Sequence, residues 1–429
     1  MSVVRVLPRQ PVQGEIVDIA TDKSMSHRAA ILSLLCSKPS RVRGFLRAED
    51  TLHTLQIAKN LGLGVQEKDD ELILTPPKGI VEPSCILDCG NAGTAMRLFC
   101  GLLAGAQGSF FVLDGDCYLR ARPMQRVITP LSQMGAQIWG RKGDSCAPLA
   151  VRGGALRATN YRSPVASAQV KSAFVLAALR ANGECEFVEP EPSRDHTERM
   201  LQAMGATLSC DRGMLRIVPL ESPLEPLDIA IPSDPSSAFF FAVAAAIVPD
   251  SEIVLRNVLL NPTRIEAYQI LRKMGAQISF HAIPNAYDDV GDIHIRYGGQ
   301  LAAVDVSERI AWLIDEIPAL AVAMACAKGK SRLTGAKELR VKETDRIAAV
   351  ATNLRACGIS VHELPDGFEI DGGRVQAATC DSFGDHRIAM SFAILGLLVP
   401  MTITDSGAMA VSFPTFLNLL SRFSMIEES

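Results

Sequence analysis

The chain has 429 residues, of which 48% are hydrophobic and 21% charged, and a formal net charge of -4. This length leaves room for two or three domains with cores of their own. The mildly acidic balance excludes a general nucleic-acid binder, and the longest apolar runs, near residues 238–248 and 388–399, are too short to span a membrane.

In chain order, a strand-like segment from Val3 to Leu7 comes first, without a partner in the repeat that follows, and a connection is expected near residues 15–21. Six polar clusters then open directly into apolar runs. They begin at Asp22 (with Lys23, Ser24 and Arg28), Asn91 (with Gly93 and Arg97), Ser167 (with Gln169 and Lys171), Asp234 (with Ser236 and Ser237), Asp315 (with Glu316) and Asp385 (with His386 and Arg387). The clusters recur about every 70 residues, which makes the chain six copies of one unit. After five of them a second helix stops at a glycine, in Leu61-Gly62, Met134-Gly135, Met204-Gly205, Met274-Gly275 and Cys357-Gly358. Hairpins follow, for example around Asp211-Arg212-Gly213 and Asp366-Gly367. The sixth copy ends early, with Phe416 to Phe423 as its last helix. Three prolines in Pro219 to Pro226 mark the domain boundary, giving residues 21–227 as one domain and 1–20 plus 228–429 as the other.

The first turn of a helix leaves N–H groups unpaired and carries partial positive charge, so anions settle there. Asp, Ser and Asn are ordinary N-caps, but caps do not require Lys23, Arg28, Lys171 and Arg387 beside them, against buried helices. A shared anion site therefore accounts for the set better than independent caps. The second helices add Arg122, Arg194, Arg264 and the run Arg340 to Arg346, in which Lys342 and Arg346 are spaced to share a helical face. With Asp315, Glu316, Glu343 and Asp385, this inventory fits acid and base work on a substrate with several negative charges. The first residues lack a secretory stretch, so the eleven cysteines are expected to be reduced and mostly buried in a cytoplasmic protein. Cys85 and Cys89 lack the spacing of a metal-binding pair, and no metal is expected.

Four motifs carry a resemblance over about residues 8–420: Asp22-Lys23-Ser24-Met25-Ser26-His27-Arg28, Gly90 to Arg97, Ser167 to Ser172, and Arg340 to Arg346 with Asp385-His386-Arg387. They resemble the EPSP synthase family of enolpyruvyl transferases. The resemblance implies an α/β fold, a two-domain inside-out α/β barrel in which each domain holds three βαβαββ units with buried parallel helices and the domains close over substrate. It implies transfer of an enolpyruvyl group from phosphoenolpyruvate to the 5-hydroxyl of shikimate 3-phosphate through a tetrahedral intermediate, with no metal or organic cofactor; a monomer with no nucleic-acid or membrane partner is expected.

Carried over residue by residue, Lys23, Ser24, Arg28, Ser167, Ala168, Gln169, Arg194, Asp315 and Lys342 match positions that hold shikimate 3-phosphate. Lys23, Gly93, Arg122, Gln169, Arg346 and Arg387 match the phosphoenolpyruvate site. Asp315 matches the proposed base, Glu343 the proposed proton carrier, and Lys23 the third catalytic position. Three positions depart from the pattern: Val411 where many members have lysine, Glu338 for asparagine and Leu98 for proline. Gly93 leaves space that an alanine methyl would fill, so inhibition by glyphosate is expected.

Three rival readings stand against this one. In a UDP-N-acetylglucosamine enolpyruvyl transferase Cys117 would be the reactive loop thiol, but Lys23 is followed by Ser24 rather than asparagine and the glycine-rich loop is absent. A repeat scaffold without activity would not concentrate charge at internal helix starts. A P-loop at Gly329-Lys330-Ser331 lacks its upstream glycine, since position 324 is methionine.

Overall fold

A computed structural model describes residues 2–9, 11–211 and 213–428; Arg212, in one expected hairpin turn, lies outside the described residues. The chain divides into two compact units, one of residues 1–20 and 232–429 and one of residues 21–231.

Each unit contains three four-stranded sheets, and all six share one pairing pattern: a parallel edge pair followed by two antiparallel neighbours. In four of the sheets a strand, a buried helix and the next strand supply the parallel pair, and in five a closing hairpin supplies the antiparallel neighbours. Ser360–Leu364 and Gly367–Gly372 form such a hairpin, with Val361 opposite Ile370. No sheet closes on itself among the described residues. The expected helix stops at Gly62, Gly135, Gly205, Gly275 and Gly358 all have positive φ, between 78° and 116°, where a side chain would be strained.

Three corrections to the sequence reading come from pairing over long separations. Asp228–Ala230, expected to begin the second domain, pairs in parallel with Ser40–Arg43, with Asp228 opposite Arg41, and so stays with residues 21–231. Gln13–Ile16, whose last two residues fall in the connection expected near 15–21, is a strand parallel to Glu252–Leu259. The sixth repeat does not end at its last helix: Ser424–Glu428 pairs with Val3–Pro8, which also pairs with Met401–Thr404. The amino-terminal strand thus occupies a place in the sheet that the other repeats fill from their own hairpins.

The first helix of each repeat is the core of its unit. Pro235–Ile247 is buried at all thirteen positions, because a helix that is apolar all round has no face to give to water. Its Phe240 and Phe241 rings meet Phe416 at centroid distances of 5.9 Å and 5.7 Å. In the other unit Gly93–Ala104 and Ala168–Ala178 run side by side so closely that a Cβ on Gly101 would lie 2.0 Å from the Ala173 carbonyl oxygen. Only glycine permits that approach, which packs the two helices against each other midway along Ala168–Ala178.

Candidate active site

In the unit of residues 21–231 the site residues lie at three helix starts. Asp22 caps Lys23–Ser33 by accepting from the Met25 N–H at 2.7 Å, and Ser167 caps Ala168–Ala178. The caps leave the cations to other work. Arg28 is buried within the bundle, and its guanidinium donates to Thr197 Oγ1 at 2.7 Å, Ser172 Oγ at 2.9 Å and the Ser24 carbonyl at 3.0 Å. It therefore fastens the first helix to the starts of Ala168–Ala178 and His196–Ala203. Ser24 is held by the same contact.

Lys23 forms an ion pair with Asp50, at the start of Glu49–Asn60. Gln169 bridges two helices, accepting from Arg97 and donating to Thr94 Oγ1 at 2.9 Å. Arg122 donates to Asn91 Oδ1, and its Nη1 would lie 3.0 Å from a Cβ at Gly93. Gly93, Arg97, Arg122, Gln169 and Ala168 therefore share one neighbourhood. Arg194 is buried in the irregular segment just before His196–Ala203.

Lys171 departs from the expectation of a shared anion site. Its ammonium donates to Glu189 Oε1 at 2.9 Å and to the Ser193 carbonyl at 3.2 Å, and lies 2.8 Å from Glu198 Oε1. Two carboxylates already neutralise it. Burial opposes its charge, but the two glutamates outweigh that and raise its pKa. Burial pushes Glu198 up from the ordinary glutamate value despite the lysine.

In the unit of residues 1–20 and 232–429 one guanidinium gathers the acids. Arg346, first residue of the helix Arg346–Ala356 and 1% exposed at its side chain, donates to Asp385 Oδ2 at 2.7 Å and Glu343 Oε2 at 2.7 Å, and meets Asp315 Oδ1 at 3.4 Å. Burial opposes its charge, yet Asp385, Glu343 and Asp315 more than offset this and hold the pKa above the ordinary arginine value. Arg387 Nη1 donates to the Asp315 carbonyl at 3.2 Å, and its Nε lies 3.6 Å from Asp315 Oδ1. Asp385 also caps His386–Leu395 through the Arg387 N–H at 2.8 Å. Asp315, Glu343, Arg346 and Arg387 are thus brought together.

Two expectations fail here. Lys342 and Arg346 do not share a helical face, because Lys342 is extended, at φ -82° and ψ -154°, after the 3-10 turn Lys337–Val341, and the helix begins only at Arg346. Asp234 and Arg264 form no anion site: Arg264, 1% exposed, donates to Asp234 Oδ1 at 2.7 Å and Ser236 Oγ at 3.0 Å, while Ser236 donates to Glu316. The six openings are therefore unequal, with the fourth closed by its own side chains. Asp50, Thr197, Glu189 and Glu198 were missed by the sequence reading; an acid in the first turn of a helix was the only local signal, at Asp50 and Glu198. Val411 ends the 3-10 turn Ser406–Val411, Glu338 lies half-buried in Lys337–Val341, and Cys117 is exposed at the start of the short helix Cys117–Ala121.

All eleven cysteines are free, and among the described residues no group of three or more His, Cys, Asp or Glu is arranged to hold a metal ion. No helix of the described residues is long and apolar enough to cross a membrane.

Comparison with known proteins gives one consistent result. The sequence model of the family described as EPSP synthase (3-phosphoshikimate 1-carboxyvinyltransferase) matches residues 6–420. A protein named 3-phosphoshikimate 1-carboxyvinyltransferase from a Nitratiruptor species is 57% identical over 432 residues, covering 100% of this chain and 99% of that protein. One of the same name from Campylobacter concisus is 58% identical over 407 residues, covering 95% of each. The solved structure of EPSP synthase from Acinetobacter baumannii is similar with a TM-score of 0.88 at 38% identity, covering 100% of both chains. The readings as a UDP-sugar transferase or an inactive repeat scaffold are not favoured by any of these.

Proposed function

Because the chain belongs to the EPSP synthase family, we infer that it transfers the enolpyruvyl group of phosphoenolpyruvate to the 5-hydroxyl of shikimate 3-phosphate and releases inorganic phosphate. The observation that carries this reading is the convergence of Asp315, Glu343 and Asp385 on Arg346, with Arg387 beside them. Enolpyruvyl transfer needs this mixture. Guanidinium forks hold carboxylate and phosphate oxygens, while carboxylates move the protons.

The hydroxyl oxygen adds to C2 of phosphoenolpyruvate as C3 gains a proton, giving a tetrahedral intermediate. Loss of a C3 proton and cleavage of the C2–O bond to phosphate then give the enol ether and inorganic phosphate. Asp315 takes the hydroxyl proton, and Glu343 delivers and removes the proton at C3. Lys23, which pairs with Asp50, serves both substrates and stabilises the departing phosphate.

Lys23, Ser24, Arg28, Ser167, Ala168, Gln169, Arg194, Asp315 and Lys342 serve shikimate 3-phosphate. The first-turn N–H groups of Ala168 and Gln169 suit a phosphate, since the Ser167 hydroxyl is engaged with Val170. Gly93, Arg122, Gln169, Lys23, Arg346 and Arg387 serve phosphoenolpyruvate. Glyphosate acts as an inhibitor, and the enzyme works as a cytoplasmic monomer.

The test is phosphate release from phosphoenolpyruvate with shikimate 3-phosphate as acceptor, run beside UDP-N-acetylglucosamine. Release with the first acceptor only is expected. Release with the UDP-sugar alone would overturn the assignment.

A further inference from the structure

The carboxyl ends of Pro235–Ile247, Ile317–Ala325 and His386–Leu395 meet around a half-open pocket of about 590 Å³, within the unit of residues 1–20 and 232–429. The helix starts that carry Ser236, Glu316 and Asp385 are at the other ends of the same helices, so this pocket is separate from the acid and arginine cluster. Its volume falls in the range that takes a small organic molecule.

The lining is chemically one-sided. Ile247, Leu301 and Leu398 supply apolar surface, and no aspartate or glutamate contributes. Lys328, Arg374 and Tyr297 stand in the same lining. Among the described residues the side chains of Lys328 and Arg374 have no carboxylate or hydrogen-bond partner, and the Tyr297 hydroxyl has none. Cys326 adds no negative charge, since burial pushes its thiol up to about 12.

An alternative use for the two cations is to neutralise helix carboxyl ends. Four of the carbonyls there are already engaged: Ala244 accepts from the Val248 N–H, Ala325 from the Gly373 N–H, Met324 from the Ala327 N–H and Cys326 from Gln300 Nε2. Lys328 and Arg374 are exposed and Tyr297 is half-buried, and no protein group among the described residues takes up their side-chain donors. Two positive charges and a hydroxyl beside an apolar floor fit a compact ring that bears a carboxylate, with the ring on the aliphatic side chains and the carboxylate in the arginine fork.

We propose that this pocket is a second ligand site, for a small ring-containing carboxylate, distinct from the site that handles the reacting anions. The proposal does not rest on the assigned reaction.

The experiment is calorimetric titration of the full-length protein with 2-naphthoate, with shikimate 3-phosphate and glyphosate present so that the positions assigned to both substrates are filled. Two variants probe the pocket in different ways. K328S/R374S removes exposed charges without touching the core. Gly373→Leu adds a bulky side chain to the lining, where a Cβ meets nothing within 4 Å and the backbone is not left-handed. One site is expected in the parent protein, weakened by about tenfold or more in each variant, with phosphate-release turnover unchanged. Absence of binding to the parent, unchanged affinity in either variant, or equally strong competition by inorganic phosphate would each overturn the proposal.

Discussion

Replacing Asp315 with asparagine removes a proton acceptor while keeping the size and shape of the side chain. The Asp315 carboxylate is 20% exposed and meets its cations at 3.4 Å (Arg346) and 3.6 Å (Arg387). Contacts that long, at a partly exposed group, contribute about 1 kcal/mol or less to stability. Arg346 also keeps Asp385 and Glu343, both at 2.7 Å. The folded state should therefore survive nearly unchanged. Loss of a general base costs about 10²- to 10⁴-fold in rate, or about 3–5 kcal/mol of transition-state stabilisation. Phosphate release at saturating substrates should fall by that factor, while KM for shikimate 3-phosphate stays within a fewfold and the urea midpoint barely moves. Turnover within about tenfold of the parent, or a loss confined to KM, would refute the role of Asp315 as base.

Lys171→Met strands Glu189 and Glu198 in the interior, and breaking such a buried cluster costs about 3–5 kcal/mol. Because Glu198 has a raised pKa when folded, the native state holds its proton more tightly than the unfolded chain does. Stability from this group is present below the ordinary glutamate value and is lost as pH rises through the raised one, so the deficit of the variant should shrink toward acid pH. Urea midpoints at neutral and acid pH check this, and a pH-independent deficit would reject it. Gly93→Ala brings a methyl to 3.0 Å from Arg122 Nη1 and 3.1 Å from Arg97 Nη1, which the flexible arginine ends can yield. The parent should be inhibited by glyphosate, and the variant should fold normally but show a raised inhibition constant and a raised KM for phosphoenolpyruvate. Trp312 lies three residues before Asp315, with the Arg309 guanidinium 5.2 Å from its ring centroid, so its emission should change on adding shikimate 3-phosphate to a Trp139→Phe protein. An unaltered spectrum at saturating ligand would remove Trp312 from the neighbourhood of binding.

What the chain sequence determined on its own was the short-range part. The six helix openings, the glycine stops and the hairpins depend on caps, positive φ and periodicity within a few residues, and these reappear at Asp22, Ser167, Asp385, Gly62 and Gly358. The motifs that carry the resemblance are equally local. Tertiary structure alone decided which strand completes which sheet and which cation is already neutralised. Val3–Pro8 pairs with Ser424–Glu428, Asp228–Ala230 with Ser40–Arg43, and Arg28 reaches Thr197. Lys23 and Lys171 look alike at the openings of their helices, yet one pairs with Asp50 and the other is enclosed by Glu189 and Glu198. Local propensity cannot separate such cases. The energy of a buried charge depends on groups brought close by folding, and their separation along the chain leaves no mark on either residue.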